Sequence, residues 1–275
     1  MDVFAAFIAP ALAGVFVGVM SGLLGVGGGT IMVPIFRLAF GMGPLASTAT
    51  SLFAIIPTSI SGAVAHTRAK TCVPRLGLAL GVGGAVMSPV GVWLASVSPG
   101  WLVICVAAVV IGFSAFKMFK KAVKCAPAPR AGTASAHSAS REPVPDQPVL
   151  SRKQYLQGAC IGLIAGLASG YVGVGGGFIM VPLMLAVLDI PMSLASGTSL
   201  IAIMILAIPG VIGQGLLGNI DYLAGIAIVV GSIPGALVGA RLVRVVPERQ
   251  LRFIFGGFLL VAAVMLMLNE FGILG

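Results

Sequence analysis

Two five-residue glycine strings are the residues of this chain best suited to chemistry. Gly25-Val26-Gly27-Gly28-Gly29 runs into Thr30-Ile31-Met32-Val33-Pro34. Gly173-Val174-Gly175-Gly176-Gly177 runs into Phe178-Ile179-Met180-Val181-Pro182. Glycine inside a helix costs roughly 1 kcal/mol relative to alanine, so each string ends any helix that reaches it. A helix restarting at Thr30 or Phe178 has leading N–H groups with no intrahelical partner. Its N-terminus carries roughly half a positive charge, and glycine lets a ligand approach the backbone closely. Two such ends facing one another form a cradle for an oxyanion without any Lys or Arg. Gly27, Gly28, Gly29 and Thr30, with Gly175, Gly176, Gly177 and Phe178, are therefore candidate substrate-binding residues.

A second polar cluster follows each string. Ser47, Thr48, Thr50 and Ser51 stand near the start of one apolar span, and Ser196, Thr198 and Ser199 near the start of another. Hydroxyls there can donate to sulfonate or carboxylate oxygens, which adds Thr50, Ser51, Thr198 and Ser199 to the candidate site. Simpler readings stand beside these. Glycine-rich strings also let membrane helices pack closely, and Ser and Thr hydroxyls often bond back to their own helix.

Other chemistries fit less well. A dinucleotide fingerprint needs glycine where Thr30 and Phe178 stand, and no phosphate-loop lysine follows either string. A membrane-embedded enzyme needs convergent acidic, His or Cys groups. The seven acidic residues (Asp2, Glu142, Asp146, Asp189, Asp221, Glu248, Glu270) all fall at predicted helix ends or in loops. Cys72, Cys105, Cys125 and Cys160 have no metal or redox spacing. The expectation is a protein that is not an enzyme and has no cofactor and no metal. Proton or sodium coupling stays open, with Asp189 and Asp221 as the nearest carboxylates. His66 reads as an interfacial residue at a span end.

The elements that position these residues are membrane helices. The chain is 59% hydrophobic and 8% charged, against about 25% charged for soluble domains. Val3–Phe36, Leu76–Phe116 and Gln154–Leu188 carry no charge, and a membrane helix needs about 20 such residues. The net charge of +9 does not imply nucleic-acid binding, because the basic residues sit in short loops that set topology. As one helix, Val3–Phe36 would be about 51 Å long. That is too long for a hydrocarbon layer of about 30 Å and too short for two crossings, so a long helix and a short one joined by the glycine break fit best. The first half is expected to hold Val3–Leu24, Thr30–Phe40, Leu45–Ala65, Leu76–Val97 and Trp101–Phe119. The second holds Tyr155–Val172, Phe178–Leu188, Met192–Gly213, Tyr222–Arg241 and Phe253–Asn269.

From Gly25 to Gly173 the offset is 148 residues, and Gly22–Pro34 matches Gly170–Pro182 at ten of 13 positions. At the same offset Thr50-Ser51-Leu52 matches Thr198-Ser199-Leu200, and Gly91 matches Gly239. A fixed offset without gaps is the mark of a duplication. The fold class is all-α, a polytopic membrane protein of two homologous repeats, 1–124 and 152–275. Residues 125–151, with prolines 127, 129, 143, 145 and 148, read as a disordered cytoplasmic linker. If the repeats are inverted, 15 of 16 Lys and Arg collect on one face, leaving Arg37; if they are parallel, 11 of 16 do. The positive-inside rule selects the inverted arrangement, with both termini outside.

Gly22-x-x-Gly25-x-Gly27-Gly28-Gly29 with Pro34, then Ala49-Thr50-Ser51-Leu52, and the same pattern from Gly170 to Leu200, resemble the TauE/SafE sulfite exporter family, also called the toluene sulfonate uptake permease family. The chain departs from strict repetition where Ala49 faces Gly197. The resemblance implies a secondary transporter or permease of a cell membrane. Its solute would be a small sulfur-containing or organic anion such as sulfite, thiosulfate or a sulfonate. Its expected partners are that anion and the lipid bilayer, with no nucleic acid. The alternative is an anion channel, or a non-transporting scaffold whose glycines serve packing.

Overall fold

A computed structural model describes residues 8–124, 151–172 and 175–270. Most of the expected linker, and Gly173 and Val174 of the second string, lie outside the described residues. Among the described residues the chain is helical and without strands. The helices are α1 (Ala9–Leu24), α2 (Gly29–Leu38), α3 (Pro44–Arg68), α4 (Pro74–Val97), α5 (Gly100–Lys124), α6 (Arg152–Val172), α7 (Gly177–Leu183), α8 (Met192–Leu216), α9 (Tyr222–Leu242) and α10 (Glu248–Glu270). A π-helical turn, Met184–Leu188, continues α7. Leu45–Arg68, Pro74–Leu94, Met192–Leu216 and Tyr222–Leu242 are long and apolar enough to cross a membrane. Ala9–Leu24 and Gly177–Leu188 are shorter apolar helices. The protein is an integral membrane protein.

Residue chemistry explains the breaks between helices. Pro44 and Pro74 stand at first helical positions, where the missing N–H is no loss. Asp221 caps α9 by accepting from the Ala224 N–H at 3.0 Å. The loops after α3 and α8 turn alike. Lys70 (φ 56) and Gly218 (φ 71) occupy the left-handed region. In each loop the same offset closes a bond, Thr71 N–H to the His66 carbonyl at 2.9 Å and Asn219 N–H to that of Gln214 at 3.1 Å.

α1 packs along α9 and α4 along α6, while α3 and α8 lie against each other and against α9 and α4 respectively. Glycines make the first two pairs close. A Cβ at Gly14, Gly18 or Gly22 of α1 would stand 2.2, 2.2 or 2.3 Å from the carbonyl oxygens of Ile228, Ser232 and Ala236. Gly162, Gly166 and Gly170 of α6 meet the carbonyls of Leu80, Gly84 and Ser88 in the same way. Such backbone contact is the membrane form of small-residue packing.

Two threonines fix the direction of the central helices. Near the start of α3, the Thr50 hydroxyl accepts from Asp221 N–H, ahead of α9, at 3.0 Å. Near the start of α8, the Thr198 hydroxyl accepts from Val73 N–H, ahead of α4, at 3.0 Å. Each central helix thus begins where the other ends, so α3 and α8 are antiparallel. The Arg244 guanidinium donates to the Ala69 carbonyl, which sets the α9–α10 loop beside the α3–α4 loop.

Candidate functional site

The first break begins where Gly25 ends α1 in the left-handed region (φ 72), its N–H bonded to the Ser21 carbonyl at 2.8 Å. Gly27 (φ 79) and Gly28 (φ 85) hold conformations that L-residues with a side chain rarely adopt. The Gly28 carbonyl accepts from Ile31 and Met32 N–H, both at 3.0 Å. The N–H groups of Gly29 and Thr30 have no acceptor among the described residues. In the second break Gly175 has φ 75, but Gly176 sits in ordinary helical conformation with φ −59. Its carbonyl accepts from Ile179 and Met180 at 3.2 and 3.0 Å. The N–H groups of Gly177 and Phe178 have no acceptor among the described residues.

The two breaks touch. A Cβ at Gly177 would stand 2.8 Å from both the Gly25 carbonyl oxygen and Val26 Cα. The midpoints of the central helices pack between them. A Cβ at Gly27 would lie 2.8 Å from Ile203 Cγ2, and one at Gly175 would lie 3.2 Å from Ile55 Cδ1. Gly25–Thr30 and Gly175–Phe178 are all buried. Buried backbone donors without acceptors are rare, and here they lie on two helix ends that converge.

The hydroxyl cluster is placed differently from the glycines. Ser199 donates to the Gly25 carbonyl at 2.6 Å and to the Ser196 carbonyl at 2.8 Å, so it ties α8 to the first break. Ser51 donates to the Thr48 carbonyl at 2.8 Å. Ser196 donates to that of Met192 at 2.9 Å, and Ser47 to that of Gly43 at 2.9 Å. Thr198 donates to the Leu194 carbonyl at 2.6 Å while accepting from Val73. Thr50 accepts from Asp221 at the other end of the bundle. The structure therefore brings Ser199 to the glycine breaks and sets Thr50 and Thr198 at helix junctions.

His66, in the last turn of α3, is fully buried within the protein. One ring nitrogen pairs with the Thr71 hydroxyl at 2.7 Å and the other with the Gly22 carbonyl of α1 at 2.8 Å. It fastens the end of α3 to the last turn before the first break. Nearby Cys72, between α3 and α4, is buried, and burial raises its thiol pKa; a contact with Thr67 opposes this.

Two hydroxyls at the first break have no partner. Ser21 Oγ and Thr30 Oγ1 are buried and make no hydrogen bond. Ser21 is absent from the residues chosen by sequence, although Ser169 stands at the 148-residue offset and is also buried. That repeated serine, one turn before each glycine string, was the available signal. Thr30 also lines a cavity of about 580 Å³ between α1, α2 and α10. Among the described residues no group of acidic, His and Cys side chains could hold a metal.

The model of the family described as Sulfite exporter TauE/SafE matches residues 10–266. A probable membrane transporter protein of Bacillus subtilis, YdhB, is 28% identical over 236 residues, covering 86% of this chain and 89% of that protein. A second from the same organism, YunE, is 25% identical over 248 residues, covering 86% and 89%. A probable membrane transporter protein of Xylella fastidiosa is 23% identical over 230 residues, covering 83% and 82%. No solved structure matches.

Proposed function

The chain belongs to the sulfite exporter TauE/SafE family of membrane transporters, and on that premise we propose that it is a secondary carrier of a small sulfur-containing or organic anion. The anion is held by backbone N–H groups at the paired glycine breaks. The observation that supports this reading is the contact of Gly177 with Gly25 and Val26, together with the N–H groups of Gly29, Thr30, Gly177 and Phe178, which have no acceptor among the described residues. Donors without acceptors at two converging helix ends suit a ligand that only accepts, and an oxyanion is such a ligand. The low dielectric around them strengthens each bond.

The halves 1–124 and 152–275 act as inverted repeats in a cell membrane, as in other carriers whose broken helices meet near the midplane. The antiparallel α3 and α8 support this, as do the reciprocal contacts of Thr50 and Thr198. So does the bond from Arg244 to Ala69, which joins two basic loops on one side. Proton or sodium coupling is a further element of the proposal, with Asp189 and Asp221 the carboxylates nearest the spans.

Proteoliposomes loaded with labelled sulfite, thiosulfate or an alkyl sulfonate test the function. Saturable flux, competed by unlabelled anion, is expected. Flux no greater than from empty liposomes across that panel would overturn the proposal, and flux that never saturates would make the protein a channel.

A further inference from the structure

The matched loops after α3 and α8 share a turn and differ in chemistry. At the 148-residue offset His66 and Thr71 of the first correspond to Gln214 and Asn219 of the second. Asn219 Nδ2 donates to Gln214 Oε1 at 2.8 Å, an amide pair with no titratable group. His66 and Thr71 pair in the same way at 2.7 Å, through a ring that can take a proton near physiological pH. The chain makes room for that ring. A Cβ at Gly197 of α8 would stand 2.8 Å from both Cβ and Cγ of His66, and the matching residue of the first repeat is Ala49. Glycine in place of alanine thus goes with the histidine.

Hydrogen-bond roles fix the neutral form of the ring. The Gly22 carbonyl only accepts, so Nε2 carries the hydrogen and Nδ1 accepts from the Thr71 hydroxyl. That hydroxyl has a second acceptor, the His66 carbonyl at 3.3 Å. When Nδ1 takes a proton it donates to Thr71 Oγ1, and the Thr71 hydroxyl hydrogen turns to the carbonyl. Every group stays bonded in both charge states, and no helix has to move. Thr71 is buried but adjoins exposed Lys70, so water at the loop surface is one residue away. What the charged ring lacks is a negative partner. α1 and α8 carry no charged side chain. Arg68 and Lys70 flank the pair, Arg75 opens α4, Arg241 ends α9, and the Arg244 guanidinium rests on the Ala69 carbonyl. The acids that precede these helices are Asp189, exposed ahead of α8, and Asp221, which caps α9. Glu248 is paired with Arg252. Neither ring nitrogen meets a carboxylate. An anion at the breaks supplies the missing charge. His66 holds Gly22, and neighbouring Ser21 has its Cβ 3.7 Å from where a Gly28 Cβ would stand. Opposite charges on the order of 10 Å apart, at an effective dielectric of about 20, favour each other about ten-fold in an equilibrium constant.

We infer that His66 is the proton site of this carrier, and that an anion at the glycine breaks and a proton on His66 Nδ1 bind together, one proton per anion. This rests on the carrier reading above and names its coupling ion. The proton comes from water through the α3–α4 loop. Whatever the anion adds to proton affinity, the proton adds to anion affinity. The loaded site then holds paired charges, which cost less in a low dielectric than a lone one.

The test is calorimetry of thiosulfate and methanesulfonate binding to the purified full chain in nanodiscs. Neither anion titrates between pH 5 and pH 8, so a pH response belongs to the protein. In buffers of different ionisation enthalpy, binding is expected to draw a proton from solution, up to about one per anion. Affinity is expected to rise about ten-fold from pH 8 to pH 5. His66→Gln copies the second repeat, keeps a donor for the Gly22 carbonyl and removes the titration, so proton uptake and the pH response are expected to vanish. Thr71→Val leaves the Gly22 bond in place and removes the partner of the charged ring, so the response is expected to move about one pH unit toward acid. A histidine that only fastens helices would give binding indifferent to pH. Such flat binding by the wild-type chain overturns the inference and leaves the carrier reading standing. So does a pH response that survives His66→Gln or, should that chain not fold, one that Thr71→Val leaves unmoved. Binding of neither anion overturns it as well, and flux in the liposome assay then judges the carrier reading separately.

Discussion

The two glycine strings are identical in sequence and different in structure. Gly28 at the first has φ 85, whereas Gly176 at the second has φ −59. The first opens a ten-residue helix with a threonine whose hydroxyl is unpaired. The second opens a seven-residue helix with a buried phenylalanine and then loosens into a π-helical turn. The next residue differs too: Thr30 adjoins a cavity, and Phe178 is fully buried. The same five residues thus end in two different backbone conformations, and the residue that follows each string differs in polarity.

Away from the breaks the halves should respond alike, and the largest effects test that likeness. A Cβ at Gly18 or Gly166 would stand 2.2 Å from a backbone carbonyl of the facing helix. Gly18→Leu and Gly166→Leu are each expected to cost about 4 kcal/mol or more, since backbone cannot yield as a side chain does. Thermal unfolding in detergent reads both. A loss in one half and none in the other would break the equivalence of the two seams.

The next effect separates the breaks. Phe178→Thr empties a filled site and is expected to destabilise by about 3 kcal/mol. Thr30→Val replaces an unsatisfied hydroxyl by a methyl group, and is expected to be neutral or stabilising by up to about 1 kcal/mol while transport falls. Equal destabilisation by the two changes would mean that the breaks are built alike after all.

Backbone conformation gives a smaller contrast. Gly28→Ala forces a side chain into the left-handed region, at about 1–2 kcal/mol, and adds a Cβ 2.9 Å from Val17. At Gly176 the conformation accepts alanine, although its Cβ would stand 3.0 Å from the Ala165 carbonyl oxygen, so Gly176→Ala is expected to cost about 1 kcal/mol, less than Gly28→Ala. Chemical unfolding of the two variants side by side checks the order, which is reversed if Gly176 rather than Gly28 carries the strained turn.

The smallest effect concerns the matched loop positions Cys72 and Ile220, both buried. The Cys72 thiol behaves as a small apolar group there, with its pKa raised by burial. Because the folded state holds this proton more tightly than the unfolded one, its contribution to stability is full at neutral pH. It is lost as pH rises past the ordinary thiol range. Slow alkylation of Cys72 at pH 8 in the folded chain, becoming fast on unfolding, is the expected result, and Cys72→Val should remove the alkaline loss.

Much of this was legible in sequence. Element order follows from charge-free runs and glycine breaks, and the 148-residue offset pairs Thr50 with Thr198, whose hydroxyls both accept from a backbone N–H ahead of a later helix. Other features depend on neighbours far along the chain. Nothing near His66 says that α1 will offer it the Gly22 carbonyl, so a histidine at a span end reads as interfacial. Thr50, Ser51 and Thr198 look free for a ligand until their hydroxyls are seen bonded to backbone. The glycines of α1 and α6 recur every fourth residue, a packing signal that the louder glycine strings obscured.

The most direct test of an anion held at the glycine breaks is a structure of the full chain with a sulfonate bound. The sulfonate oxygens are predicted within hydrogen-bond distance, about 3 Å, of the N–H groups of Gly29 and Thr30 or of Gly177 and Phe178. A sulfonate bound away from both glycine breaks would contradict it.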